Sequence, residues 1–123
     1  MSDIPTPEEF EMASQAMRQK ARCLDDVREG VKRRFGSPDP IREFFILSQR
    51  DVDFRAYIFF GRGEDLELAG KTGLQGKIVD FVFSELERLG RGSRDQIRMA
   101  FEFDSHENVE ANFEGDYSLR LRS

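Results

Sequence analysis

Hydrophobic positions recur at steps of three and four residues along the first third of the chain, which predicts one long helix. Thr6 is a good N-cap, Pro7 suits the first helical turn, and Glu9 completes a capping box, so we expect the helix to begin there. The Gly- and Pro-containing segment 36–40 is expected to end it. The apolar stripe comprises Phe10, Ala13, Met17, Ala21, Leu24, Val27 and Val31.

Two segments rich in aromatic and β-branched residues follow at 42–49 and 52–61, and they predict the two strands of a hairpin. In the second segment, Tyr57 and Phe59 place aromatic rings on one face. The opposite face is apolar as well, so we expect this pair to be central in its sheet or covered on both sides. The residues of that opposite face are Phe54, Ala56, Ile58 and Phe60.

The middle of the chain predicts a connection over residues 61–73 and a second helix from about Leu74 to Leu89. Thr72 and Gln75 have the spacing of a capping box at the start of that helix. The helix is expected to end at the glycine-rich stretch that follows.

The last quarter alternates between apolar and polar residues, which predicts two further strands, 97–104 and 109–121, joined by a turn at residues 105–108. The predicted order is therefore α-β-β-α-β-β. It indicates an α+β fold in which an antiparallel four-stranded sheet carries two helices packed on one face. At 123 residues, the chain is expected to form a single domain, 1–123.

Charge changes this picture at one place, the C-terminal end. The chain has a net charge of −5, and residues 99–123 hold six acidic and two basic side chains. Within residues 101–117 there are six carboxylates, the one histidine of the chain, and no Lys or Arg. An acidic chain is a poor nonspecific binder of nucleic acid, which needs cations to displace phosphate counterions.

The remaining composition sets the expected compartment. A single cysteine, Cys23, excludes an internal disulfide, and its helical position favours a buried thiol. The N-terminal residues lack the basic start and apolar run of a secretory signal, and no apolar stretch reaches the roughly 20 residues of a membrane span. We therefore predict a cytoplasmic protein with no direct nucleic-acid or membrane partner.

Candidate catalytic and cofactor motifs fit poorly. The segment "AGKTG" suggests a phosphate-binding loop, but Asp65 stands where that loop requires its first glycine. His106 has carboxylates on both sides, yet one turn with one histidine does not supply the three or four ligands of a stable metal site. Nothing indicates a nicotinamide, flavin or pyridoxal cofactor, so we predict no cofactor and no enzyme activity.

The predicted C-terminal hairpin carries its carboxylates on one outward face, and this face is the predicted partner-binding site. Like charges directly opposite across a sheet are destabilising, so a one-signed cluster favours a basic partner. The alternative, protection of exposed strands from aggregation, stays open. Nucleases are obvious basic partners, because their substrate clefts must hold phosphate, and residues 63–67 would extend the acidic face if they fold beside it. The predicted contact residues are Glu102, Asp104, Glu110, Asn112, Glu114 and Asp116.

The C-terminal half resembles the YezG-like group of bacterial immunity proteins, which belong to the contact-dependent inhibition and polymorphic toxin type. The residues that carry the resemblance are "DFVFSELERLG" followed by "IRMAFEFDSHENVEANFEGDY", and it extends over roughly residues 41–117. It implies a small cytoplasmic protein that binds and neutralises one cognate toxin, often a nuclease delivered between competing bacteria. Such a protein is expected to be a monomer when free.

Two other classes of function remain open. One is a small-molecule-binding domain or small enzyme with a pocket between the first helix and the sheet, where Cys23, Arg55 and Tyr57 would meet. The other is an oligomerising adaptor, which would have a molecular weight in solution above 14.3 kDa.

Overall fold

A mixed three-stranded sheet with helices on both faces forms the part of the chain that the structure describes. The structure is a computed structural model, and it describes residues 22–35, 41–50 and 52–123. Helix α1 is described over residues 22–35. The remaining elements, in chain order, are β1 (Ile41–Arg50), β2 (Asp53–Phe60), α2 (Gly63–Thr72), α3 (Leu74–Arg88), β3 (Arg98–Ser105), α4 (His106–Phe113) and α5 (Tyr117–Arg122).

The sheet has the order β1-β2-β3, with β2 in the centre. Strand β1 runs antiparallel to β2, as the predicted hairpin requires, and Phe45 lies opposite Tyr57. Strand β3 runs parallel to β2, and Tyr57 lies opposite Glu102. A parallel neighbour needs a crossover of a dozen or more residues, and α2 and α3 supply it.

The main core lies between one face of this sheet and helices α1, α2 and α3. Val27 and Val31 on α1 are fully buried, which confirms the helical stripe for the described part of α1; the predicted start at Thr6 lies outside the described residues. From α3, Ile78, Val82 and Leu86 enter the same cluster at steps of four. The strands contribute Phe44, Ile46, Phe54, Ala56, Ile58 and Phe60.

The opposite face of the sheet has a smaller core of its own. Tyr57 and Phe59 project there from β2, and Val109 of α4 is fully buried against them. Partly buried side chains complete this second cluster, namely Phe45, Phe113, Tyr117 and Leu121. The prediction that the pair is central or covered on both sides is therefore confirmed for β2, whereas β1 is an edge strand with Leu47 exposed.

Helix α1 is held against the edge of the sheet by an ion-pair cluster around Glu43 of β1. The carboxylate accepts hydrogen bonds from Arg28 at 2.9 Å and from Lys32 at 3.1 Å. Burial by itself would raise the pKa of the Glu43 carboxyl, but the two cations outweigh it and hold that pKa below its usual value. Arg28 also lies over the Phe45 ring, 5.0 Å from its centroid.

The predicted four-stranded antiparallel sheet with two helices on one face is wrong. The fold is α+β, but its sheet has three strands, one pair is parallel, and there are five helices in the described residues. The error has two sources. The antiparallel direction of β3 was inferred from the predicted order of elements, which does not determine strand direction, and the segment after β3 is helical.

Helices α4 and α5 replace the predicted fourth strand because two capping residues outweigh the apparent alternation. The Ser105 hydroxyl accepts from the Asn108 N–H at 3.2 Å and so starts α4. Asp116 accepts from the Ser118 and Leu119 N–H groups and starts α5. The apolar positions that contact the second cluster are Val109, Phe113, Tyr117 and Leu121. Their step of four fits a helix as well as it fits a strand.

The predicted connection 61–73 is also wrong, since most of it forms α2. Only Ala69 of this helix is fully buried, so it shows almost no apolar stripe. Gly73 then adopts φ 80°, a left-handed conformation that glycine tolerates without a steric penalty, and this separates α2 from α3. The Thr72–Gln75 capping box is absent, because Gly73 is the N-cap and no side chain caps α3. Within the described residues, no helix is long and apolar enough to cross a membrane.

Candidate interaction surface

The two acidic segments of the chain meet at the carboxyl ends of the parallel strands. Phe60, the last residue of β2, lies opposite Ser105, the last residue of β3, so α2 and α4 begin side by side. The Gly63 N–H donates to Oε1 of Glu107 at 2.5 Å, and the Glu107 N–H donates to the Gly61 carbonyl at 3.3 Å. The sequence left open whether residues 63–67 fold beside the acidic segment, and in the structure the first of them, Gly63, contacts Glu107.

Helix α4 exposes a row of three glutamates, Glu107, Glu110 and Glu114, which we term the acidic α4 face. Their spacing of three and four residues places them on one side of the helix and its C-cap. All three are exposed, and no Lys or Arg occurs within α4. Glu64, in the first turn of the neighbouring α2, is exposed as well, but it pairs with Arg62 at 3.3 Å and so adds little to the negative surface.

Helix dipoles explain part of this negative charge. Glu64 and Asp65 lie in the first turn of α2, and Glu107 lies in the first turn of α4. Carboxylates there are stabilised by the partial positive charge at a helix N-terminus. These three residues therefore have a role in the fold, whatever else they bind.

The helix dipole does not explain the carboxylate of Glu114. It caps the C-terminus of α4 with φ 56°, and in the described residues it is the one residue other than glycine with a positive φ. The left-handed region costs an L-residue roughly 1–2 kcal/mol, and a negative charge at a helix C-terminus opposes the dipole. No hydrogen bond or ion pair joins its carboxylate to the described residues, although the backbone of this left-handed cap is satisfied, since the N–H groups of Glu114 and Gly115 donate to the Val109 carbonyl.

Two of the predicted contact residues lie on β3 beneath α5. Oδ2 of Asp104 accepts from Nε of Arg120 at 2.6 Å, and their side chains are only 14% and 13% exposed. Burial alone would raise the pKa of Asp104, but hydrogen bonds from Arg120, the Ser105 N–H and Asn108 hold it below its usual value. Glu102 is 47% exposed and lies farther from Arg120, at 3.4 Å.

The other two contact residues have local partners near α4 and α5. Nδ2 of Asn112 donates to Oδ1 of Asn108 at 2.6 Å, one turn earlier on α4. The carboxylate of Asp116 caps α5 and is committed to two backbone N–H groups. The six predicted residues therefore lie on β3, on α4 and in the turn after it. The face of two adjacent strands that we expected does not form.

A hydrogen-bonded chain links α4 to α5 through the one histidine. Nε2 of His106 lies 2.9 Å from Oε1 of Glu110, and Nδ1 lies 2.5 Å from the Tyr117 hydroxyl. In the tautomer that carries its proton on Nε2, the ring donates to the Glu110 carboxylate and accepts from the Tyr117 hydroxyl at Nδ1. Burial, with the charges of Glu43 and Glu110, raises the pKa of Tyr117 in spite of the nearby Arg42. These hydrogen bonds join Glu110 of the acidic α4 face to α5.

The residues expected to line a pocket, Cys23, Arg55 and Tyr57, do not meet, because the sheet lies between α1 and the Tyr57 side chain. Tyr57 belongs to the second cluster, whereas the space between α1 and the sheet is filled by main-core side chains such as Val27 and Phe44. An open groove of about 560 Å³ lies instead between α1 and α3, where Gly30 allows a close approach to Phe81. Charged side chains line it, namely Asp26, Glu29, Arg33, Arg34, Glu85 and Arg88. In the described part of the chain, no group of three or more His, Cys, Asp or Glu residues is placed to hold a metal ion.

Reasoning from the sequence missed Glu107 and Arg120. Glu107 was assigned to a turn, although its three-residue step to Glu110 is a helical signal. Arg120 lies 16 residues from Asp104, and no local pattern predicts that pair.

Comparisons with protein-family models, with curated proteins and with solved structures find no match for this chain. The resemblance to YezG-like immunity proteins therefore stays a prediction.

Proposed function

We propose that the chain is a non-enzymatic binding protein of the immunity type, which neutralises a basic toxin domain through the acidic α4 face. The observation that carries the proposal is Glu114, an exposed carboxylate without a partner among the described residues, held in a conformation that disfavours it. A left-handed cap is ordinary at the end of a helix, but glycine suits it better than a charged residue, so a glutamate at this position favours a role in binding.

The spacing of charge along α4 supports the same proposal. Like charges three or four residues apart destabilise a helix by roughly 0.2–0.5 kcal/mol per pair. Glu107 and Glu110 form one such pair, and Glu110 and Glu114 form another. Interspersed lysines would serve solubility equally well and would stabilise α4, so the one-signed face favours a cationic partner.

A toxin domain that cleaves nucleic acid has the complementary surface. Its cleft must be cationic to bind phosphate, and a row of carboxylates can occupy the positions where phosphates would lie. The resemblance of residues 41–117 to YezG-like immunity proteins points to the same class of partner. An inhibitor that acts by covering a cleft needs no catalytic group of its own.

Reversing the charge of the acidic α4 face is expected to slow association with the basic partner. In the double variant Glu110→Lys plus Glu114→Lys, the association rate constant should fall by about tenfold or more, because electrostatic steering supplies factors of that size. The salt dependence of the rate should flatten as well. The measurement is stopped-flow association at low and moderate salt, with the partner first isolated by a tagged pull-down from the native cell.

The matched control is Glu87→Lys plus Asp95→Lys. Both residues are exposed and lie away from α4, on α3 and in the loop before β3, and the change in net charge is the same. If the control slows association as much as the α4 variant does, net charge alone steers the encounter and the acidic α4 face is not the contact surface.

Substitution of Glu114 separates its effects on folding and on binding. Glu114→Gly should raise the free energy of unfolding by about 1 kcal/mol, because glycine is the preferred residue in a left-handed C-cap. Glu114→Gln removes the charge but keeps the left-handed backbone conformation. Its free energy of unfolding should therefore rise by only a few tenths of a kcal/mol, from the lost repulsion between the carboxylate and the helix dipole. Urea unfolding measures both. Binding should weaken equally in the two variants, and unchanged binding in both would remove Glu114 from the interface.

A second candidate function is small-molecule binding in the groove between α1 and α3. One observation favours it: a groove of about 560 Å³ lies within the usual size range of ligand sites and contains three arginines. Three carboxylates share that groove and leave it without net charge, so we rank it second. A thermal-shift screen with small anions tests it, and Arg33→Ala should abolish any shift found.

A further inference from the structure

Strand β3 forms an edge of the sheet that no other strand of the described residues covers. It is the outermost strand and is eight residues long; it contains no Gly or Pro, and its pairing with β2 shows no register shift. The other edge strand, β1, is interrupted by two shifts, between Ile41 and Glu43 and between Ser48 and Arg50. Proteins normally disrupt or cover a long regular edge, since it is a template for pairing with another strand.

The unpaired backbone groups of this edge can be assigned. The Arg98 N–H donates to the Val52 carbonyl at 2.7 Å, so the backbone of Arg98 faces β2. The N–H and C=O of successive residues point to opposite sides of a strand, so the backbone groups of Met99, Phe101 and Phe103 point away from β2. No strand of the described residues pairs with them there.

The side chains of the same three residues form an apolar border. Met99, Phe101 and Phe103 are half-buried at the periphery of the main core. The Phe101 ring lies 5.9 Å from the Phe83 ring and stacks on Phe103 at 6.4 Å. Another strand at this edge would cover these rings and satisfy the free backbone groups together.

We propose that β3 pairs with β3 of a second copy of this chain, antiparallel, with Phe101 facing Phe101 on the twofold axis. In this register Met99 lies opposite Phe103, so the outward backbone groups face one another as hydrogen-bonded pairs. Arg98 lies opposite Asp104 at both ends of the seam, beside a carboxylate that also accepts from Arg120 of its own copy. The sequence of β3 is therefore complementary to itself in apolar character, and its one basic residue meets the acidic end of the partner strand.

Neighbouring registers are less favourable. A shift by two residues in one direction places Glu102 opposite Glu102, and like charges directly opposite destabilise a pair. The same shift in the other direction places Ala100 opposite itself and leaves Phe103 and Asp104 beyond the end of the partner strand. The exposed guanidinium of Arg98 makes no hydrogen bond or ion pair with the described residues, so it is free to contact the partner's carboxylate.

This pairing departs from the free monomer that the resemblance implies, but it is independent of the proposed binding surface, because it uses the edge of β3 and leaves the acidic α4 face to another partner. It predicts that the mass in solution rises from 14.3 kDa towards twice that value as the protein concentration is raised. Sedimentation equilibrium with the full chain measures this. A mass that stays at the monomer value up to concentrations of about 100 µM, well above the micromolar constants of weak specific complexes, overturns the proposal.

Charge reversal at the seam gives the specific test. Arg98→Glu places like charges opposite each other at both ends, and the dimer dissociation constant should rise by about tenfold. Arg55→Glu is the matched control: Arg55 is exposed on the same face and lies opposite Ala100, but on the central strand β2. Equal weakening by the two variants contradicts a seam at β3.

Cysteine cross-linking fixes the register. In a Cys23→Ser background, protein with Ala100→Cys is mixed with protein with Glu102→Cys, since these two positions face each other across the proposed seam. The mixture should form a disulfide-linked dimer quickly under mild oxidation, because directly opposed strand positions lie within disulfide reach. Each variant alone should remain mainly reduced. Faster cross-linking of either variant alone overturns the proposed register.

Discussion

Replacement of Arg120 by leucine is expected to lower the free energy of unfolding by about 2–3 kcal/mol, because it leaves a mostly buried carboxylate without its cation. Nε of Arg120 lies 2.6 Å from Oδ2 of Asp104, and the guanidinium also lies 5.9 Å from the ring centroids of Phe59 and Phe113. One side chain thus links α5 to β3 and to α4. Urea unfolding of the two proteins measures the difference.

The control for this variant is Arg122→Leu on the same helix. Arg122 is exposed, and its Nε donates only to the Ser118 carbonyl at 3.1 Å, so its loss should be nearly neutral. Adding Asp104→Leu to Arg120→Leu should restore part of the lost stability, because a well-packed apolar pair often replaces a buried ion pair without loss. If Arg120→Leu is no worse than Arg122→Leu, the pair contributes nothing to the fold.

Acid should reduce the difference in the free energy of unfolding between Arg120→Leu and the parent protein. The pKa of Asp104 in the folded protein lies below its ordinary value of 3.8, so the stability that the ion pair contributes is fully present above pH 3.8. It is lost as the pH falls through the lower folded value, where Asp104 becomes protonated. The gap between parent and variant should therefore shrink below pH 3.8, while Glu43 titrates in both proteins alike.

The elements that could be predicted from the sequence are those with an unambiguous hydrophobic period. The stripe through Val27 and Val31 fits only a helix, and the dense aromatic run of β2 fits a buried strand. After β3, by contrast, the apolar positions Val109 and Phe113 recur at a step of four, which satisfies both periods. There the N-caps Ser105 and Asp116 decide the structure, and a capping residue is a weaker signal in sequence than a run of hydrophobic residues.

The position and direction of β3 could not be predicted, for a different reason. Alternation along β3 places Met99 and Phe101 on one face but does not specify a neighbour. The chain between β2 and β3 could be read as one helix and a loop; it is two helices, because α2 has almost no apolar stripe and depends on contacts with other elements. One of these, the Gly63 N–H to Glu107 hydrogen bond, joins residues 44 apart.

The candidate site was predicted in composition but not in geometry. Glu110 and Glu114 were identified because one-signed charge is visible in any structure that the segment adopts. Asp104 and Asp116 looked equivalent to them, yet one is held by Arg120 and the other caps α5. What distinguishes a carboxylate that serves the fold from one available to a partner is the set of groups around it, and that depends on the tertiary structure.

Replacement of Phe59 by alanine is expected to have the largest effect of all, a loss of about 3–5 kcal/mol, the usual result of removing a fully buried phenylalanine. Phe59 is 0% exposed at the centre of the second cluster, and its ring packs against Tyr117 at 4.8 Å and Phe45 at 6.0 Å. Among the described residues this cluster has only three buried members, so Phe59 supplies a large share of the apolar contact that holds α4 and α5 to the sheet. Denaturant unfolding gives the total loss.

The loss of stability in Phe59→Ala should affect α4 and α5 before it affects the rest of the protein. Because the main core lies on the other face of the sheet, amide hydrogens of α4 and α5 should lose exchange protection in Phe59→Ala well before those of β1, β2 and α3. Phe83→Ala is the matched control, since it removes the same atoms from the border of the main core, where Phe83 contacts Phe101. Uniform loss of protection in both variants would mean that the second cluster unfolds only together with the main core. Selective loss in Phe59→Ala would instead mean that the acidic α4 face is carried by a separately unfolding unit, which a bound partner would stabilise.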